Sequence, residues 1–161
     1  MQMRRNLRLS GFDYSQNGCY FVTVCTNFKE PFLSEIVYRA ERPISILTPV
    51  GKAVEETIQY IHNNYDGVSV EKYCIMPNHI HLIITLGNAC GGHGNPPLRD
   101  VVGRLKSFTT KRFREIQHSP HLILWQRDYY EHIIRSDEDY AEKSRYIDEN
   151  PIKWLITHHK I

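Results

Sequence analysis

No apolar run in the sequence approaches the ~20 residues that a helix needs to cross a bilayer, so no membrane-spanning segment is expected. The basic opening, Met1 to Arg8, is not followed at once by an apolar stretch. It does not read as a secretory signal, which leaves the cytoplasm as the expected location. Cysteine is sparse. Cys19, Cys25, Cys74 and Cys90 show no Cys-x-x-Cys spacing and read as reduced residues in or near the core, not as a disulfide framework. There is no internal repeat, no low-complexity tract and no linker, so residues 1–161 are expected to form one domain. Excess charge of one sign is also missing. Lys and Arg number 20 against 18 Asp and Glu, and a net +2 does not by itself announce a nucleic-acid binder. Apolar residues at 41% and charged residues at 24% give the balance of an ordinary soluble protein with enough chain to bury a core.

The distribution of charge says more than its sum. Arg4, Arg5 and Arg8 crowd the N-terminus, and Arg99, Arg104, Lys106, Lys111, Arg112 and Arg114 crowd a second stretch. Such a stretch is either the solvated face of a helix or a track for phosphate groups.

Cys19 to Thr26 is rich in β-branched and aromatic residues and predicts a strand; Phe32 to Val37 is a weaker one, extended by Ile44 to Leu47. Thr48-Pro49 then opens a helix with Val50, Val54, Ile58, Ile61 and Tyr65 on one stripe. Val68 to Met76 and His79 to Leu86 predict two strands. Pro77 between them has no amide hydrogen and belongs at a turn, bulge or edge. After a glycine- and proline-rich loop, a second helix is predicted from about Leu98 to Gln117. Its buried side would carry Leu98, Val101, Val102, Leu105, Phe108, Phe113 and Ile116. Leu122 to Trp125 and Tyr130 to Arg135 read as extended. Ser136 caps a third helix with acids in its first turn, and Asn150-Pro151 is expected to end it, leaving Trp154 and Ile156 on a short terminal segment. This order predicts an α+β fold with a mainly antiparallel sheet and helices packed on one face.

One strand breaks its own rule. Tyr73-Cys-Ile-Met-Pro-Asn-His-Ile-His-Leu-Ile-Ile-Thr85 otherwise reads as buried strand, yet it carries His79 and His81. Residues two apart on a strand share a face, roughly 6–7 Å apart along the backbone. Two imidazoles so placed can close on one metal ion, while Ile80, Leu82 and Ile84 point the other way into a core. A hydrophobic strand has no packing reason to carry both histidines. Two ligands are an incomplete site. On the third helix, Tyr140, Ser144 and Ile147 share one side, and Tyr146 and Asn150 lie one above the other on a different side. A phenol and a carboxamide there suit a nucleophile beside a metal ligand; a core-edge tyrosine and a helix-ending asparagine are the plain alternative.

Three blocks resemble a known family. Tyr73 to Leu82 resembles the signature strand of the HUH single-tyrosine transposases, where U is a bulky apolar residue. Tyr146-Ile-Asp-Glu-Asn-Pro151 resembles the Tyr-Ile-x-x-Asn-Pro segment of the branch known as REP-associated tyrosine transposases, and Leu124 to Arg135 resembles the block that precedes it. The opening from Arg8 to Thr23 is similar to that family's N-terminus, so the resemblance spans essentially the whole chain. It implies a ferredoxin-like αβ sandwich whose C-terminal helix carries the nucleophile. It implies His79, His81 and Asn150 as ligands of a divalent metal, Mg²⁺ or Mn²⁺, with Tyr146 as nucleophile. Nitrogen donors suit Mn²⁺ better than Mg²⁺.

The implied reaction is nicking and rejoining of single-stranded DNA at hairpin-forming repeats through a covalent 5′-phosphotyrosine. The partner is then single-stranded or hairpin DNA, with Arg4, Arg5, Arg104, Lys106, Lys111, Arg112 and Arg127 as candidate DNA contacts. The resemblance is compatible with a homodimer sharing its active sites and with a monomer. Two other functions stay open: a domesticated hairpin-DNA binder that does not cut, and a metal-dependent phosphoesterase with no covalent step. Tyr129, Tyr130 and Tyr140 are rival nucleophiles, and Trp125, Tyr129 and Tyr130 are candidates for stacking on unpaired bases. Cys90 and His93 offer a rival zinc site with the histidine pair. A histidine-triad hydrolase would need a third histidine where Ile83 stands.

Overall fold

A computed structural model describes residues 17–87 and 96–158; Arg4, Arg5, Cys90 and His93 lie outside them. The elements run β1 (Gly18–Cys25), β2 (Ser34–Arg39), β3 (Arg42–Leu47), α1 (Pro49–Asn64), β4 (Val68–Ile75), β5 (His79–Leu86), α2 (Leu98–Ile116), β6 (Tyr130–Ile133) and α3 (Asp137–Thr157). An antiparallel sheet has the order β4-β5-β1-β6, and β2 and β3 form a separate hairpin. No helix among the described residues is long and apolar enough to cross a membrane.

The period of two along β1 and β5 divides the molecule. Val22, Val24, Ile80, Leu82, Ile84 and Leu86 face α1 and α2 and form the larger core with Val54, Ile58, Val101 and Leu105. Cys19, Phe21 and Ile83 face the other way and pack on Tyr140 and Ile147 of α3. The helices expected on one face are therefore α1 and α2, and the C-terminal helix covers the face that carries the histidines. A bulge between Val70 and Lys72 shifts the register of β4 against β5, so that Cys74 pairs with His81 and Lys72 reaches α3. Thr48 caps α1 as expected, its hydroxyl accepting from the Gly51 amide at 3.0 Å. Gly51 itself is obligatory, because a Cβ there would collide with the Leu33 carbonyl.

Two expectations need correction. The third helix does not end at Asn150-Pro151 but continues through Pro151 to Thr157. Proline removes the amide that would bond the Ile147 carbonyl, at about 3 kcal/mol in a helix interior. Beyond it, Leu155 is buried with Ile36 of the β2–β3 hairpin and Met76, and Trp154 packs against the same cluster. Burying one such side chain contributes about 1.5–3 kcal/mol, enough to offset the proline. On α2, Phe108 is not on the buried side but 48% exposed, and Thr109 points inward instead. The cause is Trp125, whose buried indole N–H needs an acceptor and donates to Thr109 Oγ1 at 2.8 Å. Replacing Thr109 with valine keeps the shape but orphans that N–H. Urea denaturation of Thr109→Val is expected to show a loss of about 1–3 kcal/mol with an unchanged m-value.

Candidate active site

The two histidines stand on the α3 side of β5 with ring centroids 4.7 Å apart. Each is oriented through Nδ1. His81 Nδ1 lies 2.8 Å from the hydroxyl of Thr23, its cross-strand partner on β1. His79 Nδ1 lies 2.7 Å from Asn78 Oδ1. That leaves both Nε2 atoms for other work. His81 Nε2 is buried with no hydrogen-bond partner. His79 Nε2 faces Asn150 Oδ1 at 3.2 Å. A neutral imidazole whose Nδ1 donates to Asn78 has only a lone pair at Nε2, so two acceptors meet there.

Burial accounts for the protonation state. Desolvation pushes the His81 pKa down to about 3, helped by the charge of His79. Desolvation also lowers His79; the Asn150 contact opposes this and the Lys29 charge adds to it. Both rings are thus neutral near pH 7, the form that ligates metals.

The helix brings the remaining groups. Asn150 is 8% exposed and lies one turn beyond Tyr146, which is 43% exposed. The Tyr146 ring meets His81 edge-on at 5.2 Å and Phe21 at 5.8 Å, with Lys153 Nζ 5.3 Å above it. Lys72 Nζ fixes the rotation of α3 by reaching Ser144 Oγ and Asp148 Oδ2, each at 2.8 Å. The rival tyrosines sit elsewhere. Tyr140 is buried in the core beneath α3 with its pKa pushed up to about 12 by desolvation, and Tyr130 is exposed on β6. Burial and then the Glu131 charge raise the pKa of Tyr129.

Among the described residues no cluster of three His, Cys, Asp or Glu side chains forms, so a divalent ion here would rest on two imidazoles and a carboxamide. The donors fit one. Adjacent ligands of an octahedral ion lie about 3 Å apart, close to the 3.2 Å between His79 Nε2 and Asn150 Oδ1, and with Nδ1 donating to Thr23 the unpartnered His81 Nε2 holds a lone pair that meets no donor. The second contacts through Thr23 and Asn78 orient both rings, as metal-binding histidines require.

The basic candidates lie apart from this trio. α2 packs on the opposite face of the sheet, so Arg104, Lys106, Lys111 and Arg112 are not brought to the histidines. The Arg104 guanidinium lies 5.2 Å over Tyr65, and Arg112 pairs with Glu115 at 3.2 Å. Lys106 Nζ donates to the carbonyls of Gln126 and Arg127 at 2.8 Å each, fastening that segment. Lys106, Lys111, Arg114, His118 and Arg127 line an open cleft of about 790 Å³. Its Gln126 N–H bonds the Cys25 carbonyl at 2.9 Å, and Cys25 pairs with His79, so cleft and histidines share one end of the sheet.

Sequence reasoning missed Thr23, Asn78 and Trp154, whose ring lies 6.3 Å from His79. Thr23 carried a signal, the same period of two on β1; Trp154 was hidden by the early helix end assigned at Pro151.

The sequence profile of the IS200-like transposases matches residues 33–150, and the chain belongs to that family, whose members nick and rejoin DNA. It is 32% identical, over an alignment of 167 residues covering 94% of this chain and 89% of the other, to a Haemophilus influenzae protein of uncharacterised function. It is 26% identical over 150 residues, 88% of this chain and 74% of the other, to a Haemophilus influenzae protein assigned as a REP-associated tyrosine transposase. The fold matches a REP-associated tyrosine transposase bound to a REP hairpin, with a TM-score of 0.57, 21% identity, and 95% and 74% of the two chains covered. It also matches a protein from Deinococcus radiodurans assigned as a transposase, at 0.52, 20% identity, 92% and 97%.

The buried neutral histidines make stability fall with acid. Their folded pKa values lie below the unfolded value near 6.5, so the unfolded state binds more protons once pH drops below that value. His81 alone is expected to remove about 2 kcal/mol between pH 7 and pH 5. Denaturation curves at the two pH values should show this loss in wild type and a smaller one in His81→Gln.

Proposed function

We propose that this chain is a metal-dependent endonuclease and strand transferase for single-stranded DNA, working through a covalent 5′-phosphotyrosine at Tyr146. One observation carries the reading: α3 holds Tyr146 against His81 while its Asn150, one turn on, faces His79. His79, His81 and Asn150 would hold Mg²⁺ or Mn²⁺. When bound, such an ion neutralises charge on a phosphate oxygen and polarises phosphorus.

The protein groups divide the remaining work. Tyr146 is exposed enough to meet a substrate, and its ring packs edge-on against His81 and Phe21. Its oxygen attacks phosphorus, a P–O(Tyr) bond forms, and the P–O3′ bond breaks. The phenol gives up its proton and the released 3′ oxygen takes one up. Lys153 Nζ lies 5.3 Å over the Tyr146 ring, a cation–π contact that helps to hold the phenol in place. The covalent link conserves the phosphodiester energy, so a 3′-hydroxyl can reverse the step and join a second end without ATP. The contacts of Asn150 with His79 and of Tyr146 with His81 form within a single chain, which supports a site built by each chain for itself.

Hairpin DNA is the substrate this reading favours, because the cleft lined by Lys106, Lys111, Arg114 and Arg127 adjoins the histidine end of the sheet. Lys111 and Arg127 serve there as phosphate contacts; Lys106 is committed to the Gln126 and Arg127 carbonyls.

A labelled hairpin with single-stranded flanks, incubated with protein and Mn²⁺, is expected to give a covalent adduct on a denaturing gel. Tyr146→Phe should abolish the adduct, and His81→Ala should reduce it at least a hundredfold; cleavage persisting in Tyr146→Phe would favour a phosphoesterase. Tight binding without cleavage by the wild type would favour a non-cutting hairpin binder. For the cleft, Lys111→Ala and Arg127→Ala are each expected to lower the slope of log affinity against log salt by about 1, read by fluorescence anisotropy of the same hairpin.

A further inference from the structure

The turn after β1 displays an aromatic ring for which folding has no use. Phe28 is 86% exposed, more than any other large hydrophobic side chain among the described residues. It and Lys29 have φ values of 53° and 54°, a left-handed conformation that L residues with side chains rarely adopt. The turn closes from the Glu30 N–H to the Asn27 carbonyl at 3.2 Å, in the manner of a type I′ turn, whose two central positions usually hold Asn and Gly. Phenylalanine at such a position leaves a strained backbone and a ring in water. Local strain of this kind is retained where surrounding structure enforces it and function uses it.

The enforcement is visible. Thr26 Oγ1 donates to the Glu30 carbonyl at 2.7 Å, and the Asn27 N–H donates to the Leu124 carbonyl at 2.8 Å. Asn78 ties the turn to the active site. Its Nδ2 donates to the Lys29 carbonyl at 3.4 Å while its Oδ1 holds His79 Nδ1 at 2.7 Å. The residue that orients one histidine therefore also positions the turn that displays Phe28 and Lys29.

We propose that Phe28 is a stacking platform for an unpaired base in the single-stranded DNA flanking the bond to be cut, with Lys29 contacting the adjacent phosphate. The proposal rests on the reading of the neighbouring site as a DNA-cutting centre. Single-stranded DNA alternates flat apolar bases with anionic phosphates, and this turn alternates a flat apolar ring with a cation. Stacking on an aromatic side chain tolerates any base, which suits a residue that grips a flank without reading its sequence. A paired stem offers no base face to a lone side chain, so the turn distinguishes unpaired flank from hairpin stem.

The test scans 2-aminopurine through the single-stranded flank of a hairpin oligonucleotide bound to the full chain with Mn²⁺. Wild type is expected to quench fluorescence at one or two adjacent positions. Phe28→Ala should lose that quench and bind the flanked hairpin about tenfold more weakly, yet bind a blunt hairpin as wild type does. Phe28→Trp should restore both, and Phe28→Leu should behave like Phe28→Ala. No quench in the wild type, or a quench unchanged in Phe28→Ala, overturns the proposal. So does wild-type binding of the flanked hairpin by Phe28→Leu, which would assign the side chain to a general apolar contact, such as one with a protein. Because the quench reads binding alone, it survives if the covalent adduct of Tyr146 fails to form, and the two readings fall separately.

Discussion

The site depends on one helix remaining helical through a proline. α3 runs from Asp137 to Thr157 with Pro151 inside it. Only as a continuous rod does it seat Tyr140 and Ile147 on the sheet, Asn150 against His79, and Leu155 on the β2–β3 hairpin at once. The lost backbone bond at Pro151 costs about as much as a buried leucine returns, so the far end of the helix holds the near end in place. The hairpin is in turn held to the sheet by Ser34 and Ser45, whose hydroxyls both donate to the Ile75 carbonyl, at 3.0 and 2.9 Å. Lys72 adds the rotational constraint from the bulged strand. A small hairpin and a bulge, neither near the chemistry in sequence, thereby aim the phenol.

The two faces of the central strand serve different ends. One face of β5 is apolar and carries the fold through α1 and α2. The other carries two imidazoles under a helix, where burial keeps them neutral and the Thr23 and Asn78 contacts keep them oriented. Burying polar rings in this way costs stability, and in return His79 Nε2 faces Asn150 while His81 Nε2 is left unpartnered. That is the arrangement of a preorganised binding site, in which folding does the positioning before any ligand arrives.

The features proposed to face DNA gather at the same end of the sheet. Cys25, the last residue of β1, and Thr26 just after it bond both to the segment carrying Trp125 and Arg127 and to Asn78. A basic cleft lies on one side of this junction, and the histidine pair with the Phe28 turn lies on the other. Positive charge and reactive groups are thus neighbours through the backbone even though α2 and α3 cover opposite faces.

By itself the sequence determined the local rules: strands and helices from periodicity, the Thr48 and Ser136 caps, the two faces of β5, and the pairing of Tyr146 with Asn150 at one helical turn. Each of these depends on residues only a few positions apart, where backbone geometry dictates who shares a face. The tertiary structure alone decided the rest. Pro151 reads as a helix end until Leu155 has a pocket to fill. Phe108 reads as core until Trp125 claims Thr109 as its acceptor. The basic residues of α2 look like part of one site until the sheet stands between most of them and the histidines. The value of Asn78 appears only when the turn at Phe28 folds back beside it. In every case the deciding partner lies far along the chain, and local pattern carries no record of a contact made across that distance.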